Sequence, residues 1–417
     1  MNSVRSLEIP KQLVLEAYKR VKAGGEAAGI DGQTMAMFEE NLKDNLYKLW
    51  NRMSSGSYFP PAVRYVDIAK SDGKTRRLGI PTISDRIAQM VVKMYSEPMI
   101  EPHFHPDSYG YRPKKSAHEA IGMARQRCWR YNWCVDLDIK GFYDNLDHEL
   151  VMKAVKKHIS SKWNLMYIER WLKAPGQLPD GTQMVREKGA IQGGVVSPLL
   201  ANLFLHYAFD KWMQRNYPLN PFERYADDCI VHCKTESEAN SLKEAIEQRL
   251  KECKLELHPK KTRIVYCKDD DRKENHEHEK FDFLGYTFQA RRSKNRYGKF
   301  FVNFSPAVSN KATKAMRQEM RSWRIPNRSD KNIEDLGRMF YSIINGWINY
   351  YGRYYKSALY PVFQHLNRLL VWWAMKKYKK LRGHQRNATH WLGKIAEREK
   401  YRFPHWKHLD ITPATGQ

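Results

Sequence analysis

The chain has 417 residues, room for two or three domains and too long for a disulfide-stapled miniature. With 72 Lys+Arg against 46 Asp+Glu it carries a formal charge of +26, which calls for a polyanionic partner such as nucleic acid or an anionic membrane surface. A composition of 42% apolar and 12% aromatic residues excludes a disordered basic tail, because such a chain can bury enough surface to offset its ordering entropy.

The first residues hold no apolar stretch of signal-peptide length, and nowhere do about 18 apolar residues run together. The expectation is a soluble, intracellular protein with no membrane partner. Cys128, Cys134, Cys229, Cys233, Cys253 and Cys267 form no CxxC pair and are expected to be reduced thiols.

In chain order, 62–70 and 74–81 flank Ser71-Asp72-Gly73 and predict a hairpin with a basic rim. Residues 133–139 alternate as a strand, and 148–159 place Leu150, Val151, Ala154, Val155 and Ile159 on one helical face. Ser197-Pro198 opens a helix through Leu205. Residues 223–234 predict two strands hinged at the acid pair Asp227-Asp228, followed by an amphipathic helix over 237–253. Strand and helix alternate, so an α+β core with an antiparallel sheet is expected.

The last third differs. Residues 291–417 hold 27 Lys+Arg against 7 Asp+Glu, a net of +20. A domain boundary is therefore expected near 290–300. Residues 331–355 and 360–380 predict two long apolar helices, the first capped by Asn332, in a bundle with a cationic face.

Two acidic segments carry the chemistry. Asp136 and Asp138 share a strand face, with Asp144 in the turn beyond, and Asp227-Asp228 lie in an otherwise apolar hairpin. Grouped carboxylates repel unless a cation compensates, and hard oxygen donors suit Mg²⁺. Two such ions about 4 Å apart support in-line nucleotidyl transfer.

YADD, DLDIKGFYDNLDH, KGAIQGGVVSPLLANLFL and FDFLGYTF together resemble a reverse transcriptase. AAGIDGQT (27–34), KTRRLGIPTISDRIAQ (74–89), SYGYRPKKSAHEAI (108–121), LHPKKTRIV (257–265) and INGWINYYGRYY (344–355) narrow the resemblance to group II intron-encoded reverse transcriptase/maturases. It implies a right-hand polymerase fold, α+β, with fingers and palm (1–290), a helical thumb or maturase domain (291–375) and a basic DNA-binding segment (376–417). The implied activity is RNA-directed DNA synthesis with two Mg²⁺, Mn²⁺ being an acceptable substitute.

The resemblance places the metal-binding acids on Asp138, Asp227 and Asp228, with Ile139 in the same set. It assigns Lys70, Arg76, Tyr143, Gln192 and a lysine, Lys260 or Lys261, to the incoming nucleotide. Lys260 is entered in that set, although the spacing leaves open which lysine faces inward. The Tyr143 ring would collide with a 2′-hydroxyl, so deoxynucleotides are expected. Gly29, Asp31, Arg112, Gly285, Arg353, Lys356 and Arg368 are implied nucleic-acid contacts. Apart from the resemblance, Asp31 reads as a local cap and Trp347 and Tyr351 as core.

Implied partners are an RNA template, a DNA or RNA primer, deoxynucleoside triphosphates, the parent intron RNA and target DNA, for a monomer or homodimer in a prokaryotic cytoplasm, associated with the nucleoid. No cysteine follows Cys267 and the late histidines lack ligand spacing, so no His-Asn-His endonuclease is expected. The competing readings are a domesticated or anti-phage reverse transcriptase and a non-catalytic RNA-binding splicing chaperone.

Overall fold

The structure is a computed structural model describing residues 9–25, 27–69 and 75–413. Helices and strands mix as an α+β protein. Two compact units result: Met1–Ala120 with Val135–Arg263, and Ile121–Cys134 with Ile264–Gln417.

In the first unit the basic hairpin pairs Val63–Ala69 with Thr75–Ile80 in antiparallel register, Arg64 opposite Ile80 and Ile68 opposite Arg76. The predicted turn, and with it Lys70, lies outside the described residues. Pro81 ends the hairpin because it has no N–H to donate to a ladder, and the Thr82 hydroxyl then caps the helix Ile83–Ile100 by accepting from Asp85 N. That helix buries Ile83, Ile87, Ala88, Val91 and Val92.

The acid-bearing sheet of this unit sets the strands Phe222–Tyr225 and Asp228–Cys233 beside the strand entering the unit at Val135. The strand Asp228–Cys233 reads CIVHC without alternation and is buried beyond its first residue, so both of its faces are covered. The helix Ser197–Leu205 is buried along its length and runs on through a π-helical turn at His206–Asp210. The helix Glu236–Glu252 starts on a capping box between Thr235 and Glu238.

The second unit contains a three-stranded meander, Lys280–Phe283, Tyr286–Lys294 and Phe300–Val308. One strand thus runs straight through residue 290, where the sequence suggested a boundary. Charge changes there, but the apolar pattern does not: Phe281 and Phe288 stack at 4.7 Å, and Trp129 Nε1 donates to Phe304 O.

Helices Asn310–Ser322, Ile333–Tyr351, Tyr360–Lys377 and Gln385–Arg398 close one core. Asn332 caps the second of them with Asp335 in a reciprocal box. Leu336, Phe340, Ile344 and Ile348 form its buried stripe, and Trp323 stacks on both Phe340 and Trp347. Trp347 and Tyr351 pack against this core, as their spacing suggested.

Residues after 376 are not a separate segment. Phe403 and Trp406 are fully buried in the same core, and Asn367 Oδ1 is shared by His405 Nε2 at 2.8 Å and Trp406 Nε1 at 2.9 Å. Basic residues dominate the composition there while the aromatic ones do the packing. Among the described residues no helix is long and apolar enough to cross a membrane. All six cysteines are buried thiols that form no disulfide.

Candidate active site

The hairpin turn Tyr225-Ala226-Asp227-Asp228 pairs Tyr225 with Asp228, leaving two residues to reverse the chain. Such a turn needs a left-handed first residue, and Ala226 supplies it at φ 57°. For a residue with a Cβ this conformation costs about 1–2 kcal/mol, so something must hold it. Arg224 Nη1 donates to Ala226 O at 2.9 Å, while the backbone of Gly110 presses so closely on Ala226 N that a side chain at 110 would not fit.

Arg224 is itself buried. It forks onto Asp210, Nε to Oδ1 at 2.7 Å and Nη2 to Oδ2 at 2.6 Å, and reaches Asn202 Oδ1 and Ser108 Oγ. Burial pushes the Asp210 carboxyl up, but the charge and hydrogen bonds of Arg224 outweigh it and hold it below the usual range. A fully paired buried guanidinium therefore fixes the acidic turn from beneath.

Asp227 is half-buried in this turn. Burial raises its carboxyl pKa, and the negative charge of Asp138 raises it further, against the pull of Arg76 and Arg224. Asp138 stands just past the strand Trp133–Leu137, and its main chain is fastened to the loop 258–262: His258 N donates to Asp138 O at 2.7 Å, and Asp138 N donates to Thr262 Oγ1 at 3.3 Å. Ile139 bridges to Leu257 in antiparallel fashion. Asp227 and Asp138, 89 positions apart, are thus brought into electrostatic contact.

The third expected acid is placed differently. Asp228 opens its own strand opposite Tyr225, and its charge is felt by the buried Cys229 thiol. Among the described residues no three His, Cys, Asp or Glu side chains gather closely enough to hold a metal ion by themselves. Asp227 and Asp138 repel each other electrostatically. Their hard oxygen chemistry fits a divalent cation, which would relieve that repulsion.

Cations and an aromatic ring surround the pair. Lys261 Nζ lies 3.3 Å from Asp138 Oδ2. Lys260, expected at the nucleotide, is exposed and its main-chain N–H donates to His258 Nδ1, so Lys261 is the lysine that pairs with Asp138. Tyr143 follows Gly141, left-handed at φ 55°, and is buried. Burial pushes its hydroxyl pKa up, helped by Tyr111 and Asp227 and opposed by Arg76. Arg76 therefore acts on both Tyr143 and Asp227.

The Gln192-Gly193-Gly194 turn lies against the hairpin. Gly79 N donates to Gln192 O at 2.8 Å, and Gly193, at φ 115°, leaves no room for a Cβ against Gly79 O. Behind it Gln89 Oε1 accepts from Val195 N at 2.8 Å and Val196 N at 3.3 Å, while Gln89 Nε2 donates to Asp85. Asp85, fully buried with its carboxyl pKa raised by that burial, also accepts from Tyr58 OH at 2.9 Å and Trp171 Nε1 at 2.7 Å.

Sequence reasoning singled out neither Asp85, Gln89 nor Arg224. The signal was available in acids and amides lying within apolar helical or strand patterns, which fold only if partnered.

Two expected nucleic-acid contacts are corrected. The Arg112 side chain is 7% exposed and spends its donors on Glu101, His105 O and Ser108 O. Gly29 is buried, and a Cβ there would come within 2.6 Å of Thr82 Cα, so it is a packing glycine. Its loop is held by Arg64 Nη2 on Ala28 O at 2.6 Å and by Arg86 on Ala27 O. Asp31 makes a local turn by accepting from Gln33 N at 3.2 Å.

In the second unit Gly285, at φ 80°, forms the Phe283–Tyr286 turn with the Tyr351 hydroxyl upon it, and Leu284 O accepts from Tyr350 OH at 2.9 Å. Arg353, Lys356 and Arg368 are exposed.

A half-buried turn whose acid is coupled to a second acid, with an arginine, a lysine and a buried tyrosine near them, has the donor chemistry that suits a divalent cation and a phosphorylated group. Residues 68–288 match the family described as reverse transcriptase (RNA-dependent DNA polymerase), and residues 313–391 match the group II intron maturase-specific domain. The chain is 32% identical over 317 residues to Protein YkfC of Escherichia coli, covering 67% of this chain and 80% of that protein.

It is 35% identical over 184 residues to the group II intron-encoded protein LtrA of Lactococcus lactis, covering 44% of this chain and 30% of that one. With nuclear intron maturase 2, mitochondrial, of Arabidopsis thaliana it shares 23% identity over 195 residues, 37% of this chain and 26% of the relative. The chain belongs to the reverse transcriptase family, RNA-directed DNA polymerases, in its group II intron maturase branch. Enzymes of this family use divalent metal ions.

Proposed function

We propose that the chain extends a primer with deoxynucleoside triphosphates on an RNA template, using two Mg²⁺ ions, and that it binds its parent group II intron RNA to assist splicing and mobility into target DNA. In this reading the first unit supplies fingers and palm, and the helices of the second supply the thumb. What supports it is the electrostatic coupling of Asp227 to Asp138, Arg76 and Tyr143, together with Lys261 Nζ at 3.3 Å from Asp138 Oδ2.

Asp138 and Asp227 would hold the ions, with the Ile139 main chain and Asp228 at the edge of the site. When bound, magnesium lowers the pKa of a primer hydroxyl and neutralises a departing pyrophosphate. The chain's own groups do the rest. Arg76 neutralises triphosphate charge with a planar fork, and Lys261 offers a compact charge next to Asp138. The buried Tyr143 ring closes the space a 2′-hydroxyl would need. The Gln192-Gly193-Gly194 turn, held from behind by Gln89, lets the nucleotide approach main chain. Asp31, Gly285, Arg353, Lys356 and Arg368 remain the proposed nucleic-acid contacts, and the intron, target-DNA and oligomeric assignments rest on family membership.

The test is primer extension on an oligo-dT-primed poly-A template, comparing the unaltered chain with Asp227→Asn. Extension by the former and loss in the latter are expected. Equal product from both would refute the assignment.

A further inference from the structure

Between the two matched family regions, which end at 288 and begin at 313, lies the greater part of a long two-stranded ribbon. Residues 286–308 contain five cations, Arg291, Arg292, Lys294, Arg296 and Lys299, and no acid. Arg291 is consumed by the ribbon itself, donating to Ser305 O and Thr287 O at 3.1 Å each. The other four lie at or near the tip.

The tip is a built turn. Asn295 Oδ1 accepts from Tyr297 N at 2.9 Å and Lys299 N at 3.0 Å, Asn295 N donates to Lys299 O at 2.9 Å, and Gly298 takes φ 84°. This fixed loop holds large rings in solvent: Tyr297 is 77% exposed and Phe300 53%. Each ring carries a guanidinium, Arg296 at 4.6 Å from Tyr297 and Arg292 at 3.8 Å from Phe300, and Lys294 pairs across the ribbon with Phe300. The Asp270 carboxylate beside the ribbon is occupied by Val302 N at 2.8 Å.

The two rings stand in solvent among four cations, with no acid anywhere in 286–308 to neutralise them. Together they match what an unpaired nucleotide offers, a π-face for stacking and a phosphate for pairing. We infer that the ribbon tip, Arg292 to Phe300, is a binding element for single-stranded nucleic acid, stacking a base on Tyr297 and neutralising phosphates with Arg292, Lys294, Arg296 and Lys299. A duplex, whose bases are already stacked, would not use the exposed ring. The inference rests on the reading of the chain as a nucleic-acid enzyme and adds a place where unpaired strand is held.

The test is fluorescence anisotropy of the full chain with labelled oligo-U of about 20 nucleotides, longer than typical single-strand site sizes. Tyr297→Ala is expected to weaken binding about fivefold or more and Tyr297→Trp to restore it. Arg292→Gln with Lys294→Gln should reduce the slope of log affinity against log salt by about 1.4. Asp227→Asn should bind oligo-U unchanged while losing primer extension, so failure of the polymerase reading and failure of this one are separable. Unchanged affinity and slope in tip variants with an unchanged melting temperature would overturn the inference. So would equal tip dependence with a duplex of the same length, or tip-dependent binding to phosphatidylserine vesicles without tip-dependent binding to oligo-U.

Discussion

Lys261 Nζ stands 3.3 Å from Asp138 Oδ2, while its neighbour Lys260 is exposed. The pair is half exposed, so it contributes less than about 1 kcal/mol to the fold, and its effect should be seen in catalysis. Lys261→Gln is expected to lower kcat/KM for deoxynucleotide roughly tenfold or more, and Lys260→Gln to leave it within about twofold. Steady-state primer extension with both variants checks this, and equal effects of the two would remove Lys261 from the site.

Asp227 carries a carboxyl whose pKa is raised by burial and by Asp138. A carboxylate with a raised folded-state pKa costs the fold stability once ionised. The cost is absent below the unfolded-state pKa and grows as pH rises through the folded-state value. In EDTA, Asp227→Asn should therefore melt higher than the unaltered chain at neutral pH, with the difference vanishing near pH 3. The same variant should lose extension by a factor on the order of 10³. Melting curves across pH check the sign, and a variant that melts lower at neutral pH would contradict it.

Gln89 joins the buried Asp85 to the main chain behind the Gln192-Gly193-Gly194 turn. Gln89→Leu leaves Val195 N and Val196 N without their acceptor, at a cost of about 1–3 kcal/mol. Because the turn then loses its backing, KM for deoxynucleotide should rise several-fold with a smaller change in kcat. Chemical denaturation with the kinetic split checks this, and a destabilised variant with unchanged KM would make Gln89 purely structural.

Arg224 and Asp210 form a buried pair beneath the acidic turn. Arg224→Met strands the Asp210 charge, and a loss of about 3–5 kcal/mol is expected. Replacing both residues, Arg224→Met with Asp210→Leu, should recover much of that stability but not extension, because Ala226 O has lost its donor. Denaturation midpoints of the single and double variants check this, and full activity in the double variant would show that the turn holds itself.

Much of this was legible in the residues. The two acidic segments, the Asn332 cap, the apolar stripe from Leu336 to Ile348 and the strands of the basic hairpin follow from period and turn chemistry. The expectation that Asp138 and Asp227 act together came from the motif match, because no local pattern relates residues 89 positions apart. Other features depend on packing between distant segments. Arg112 is cationic and sits in a motif, but Glu101 and two carbonyls claim it. Net charge suggested a break near 290, yet apolar rings continue through it, and the basic stretch after 376 hides Phe403 and Trp406. Charge reports the surface, whereas domain limits are set by what is buried.

The central claim is that Asp138 and Asp227 jointly bind the catalytic divalent ion. Its most direct test is Mn²⁺ binding, followed by electron paramagnetic resonance, to the chain with template-primer and deoxynucleotide, for the unaltered protein, Asp138→Asn and Asp227→Asn. The account predicts that either substitution weakens Mn²⁺ binding at least about tenfold. Unaltered Mn²⁺ affinity in both variants would contradict it.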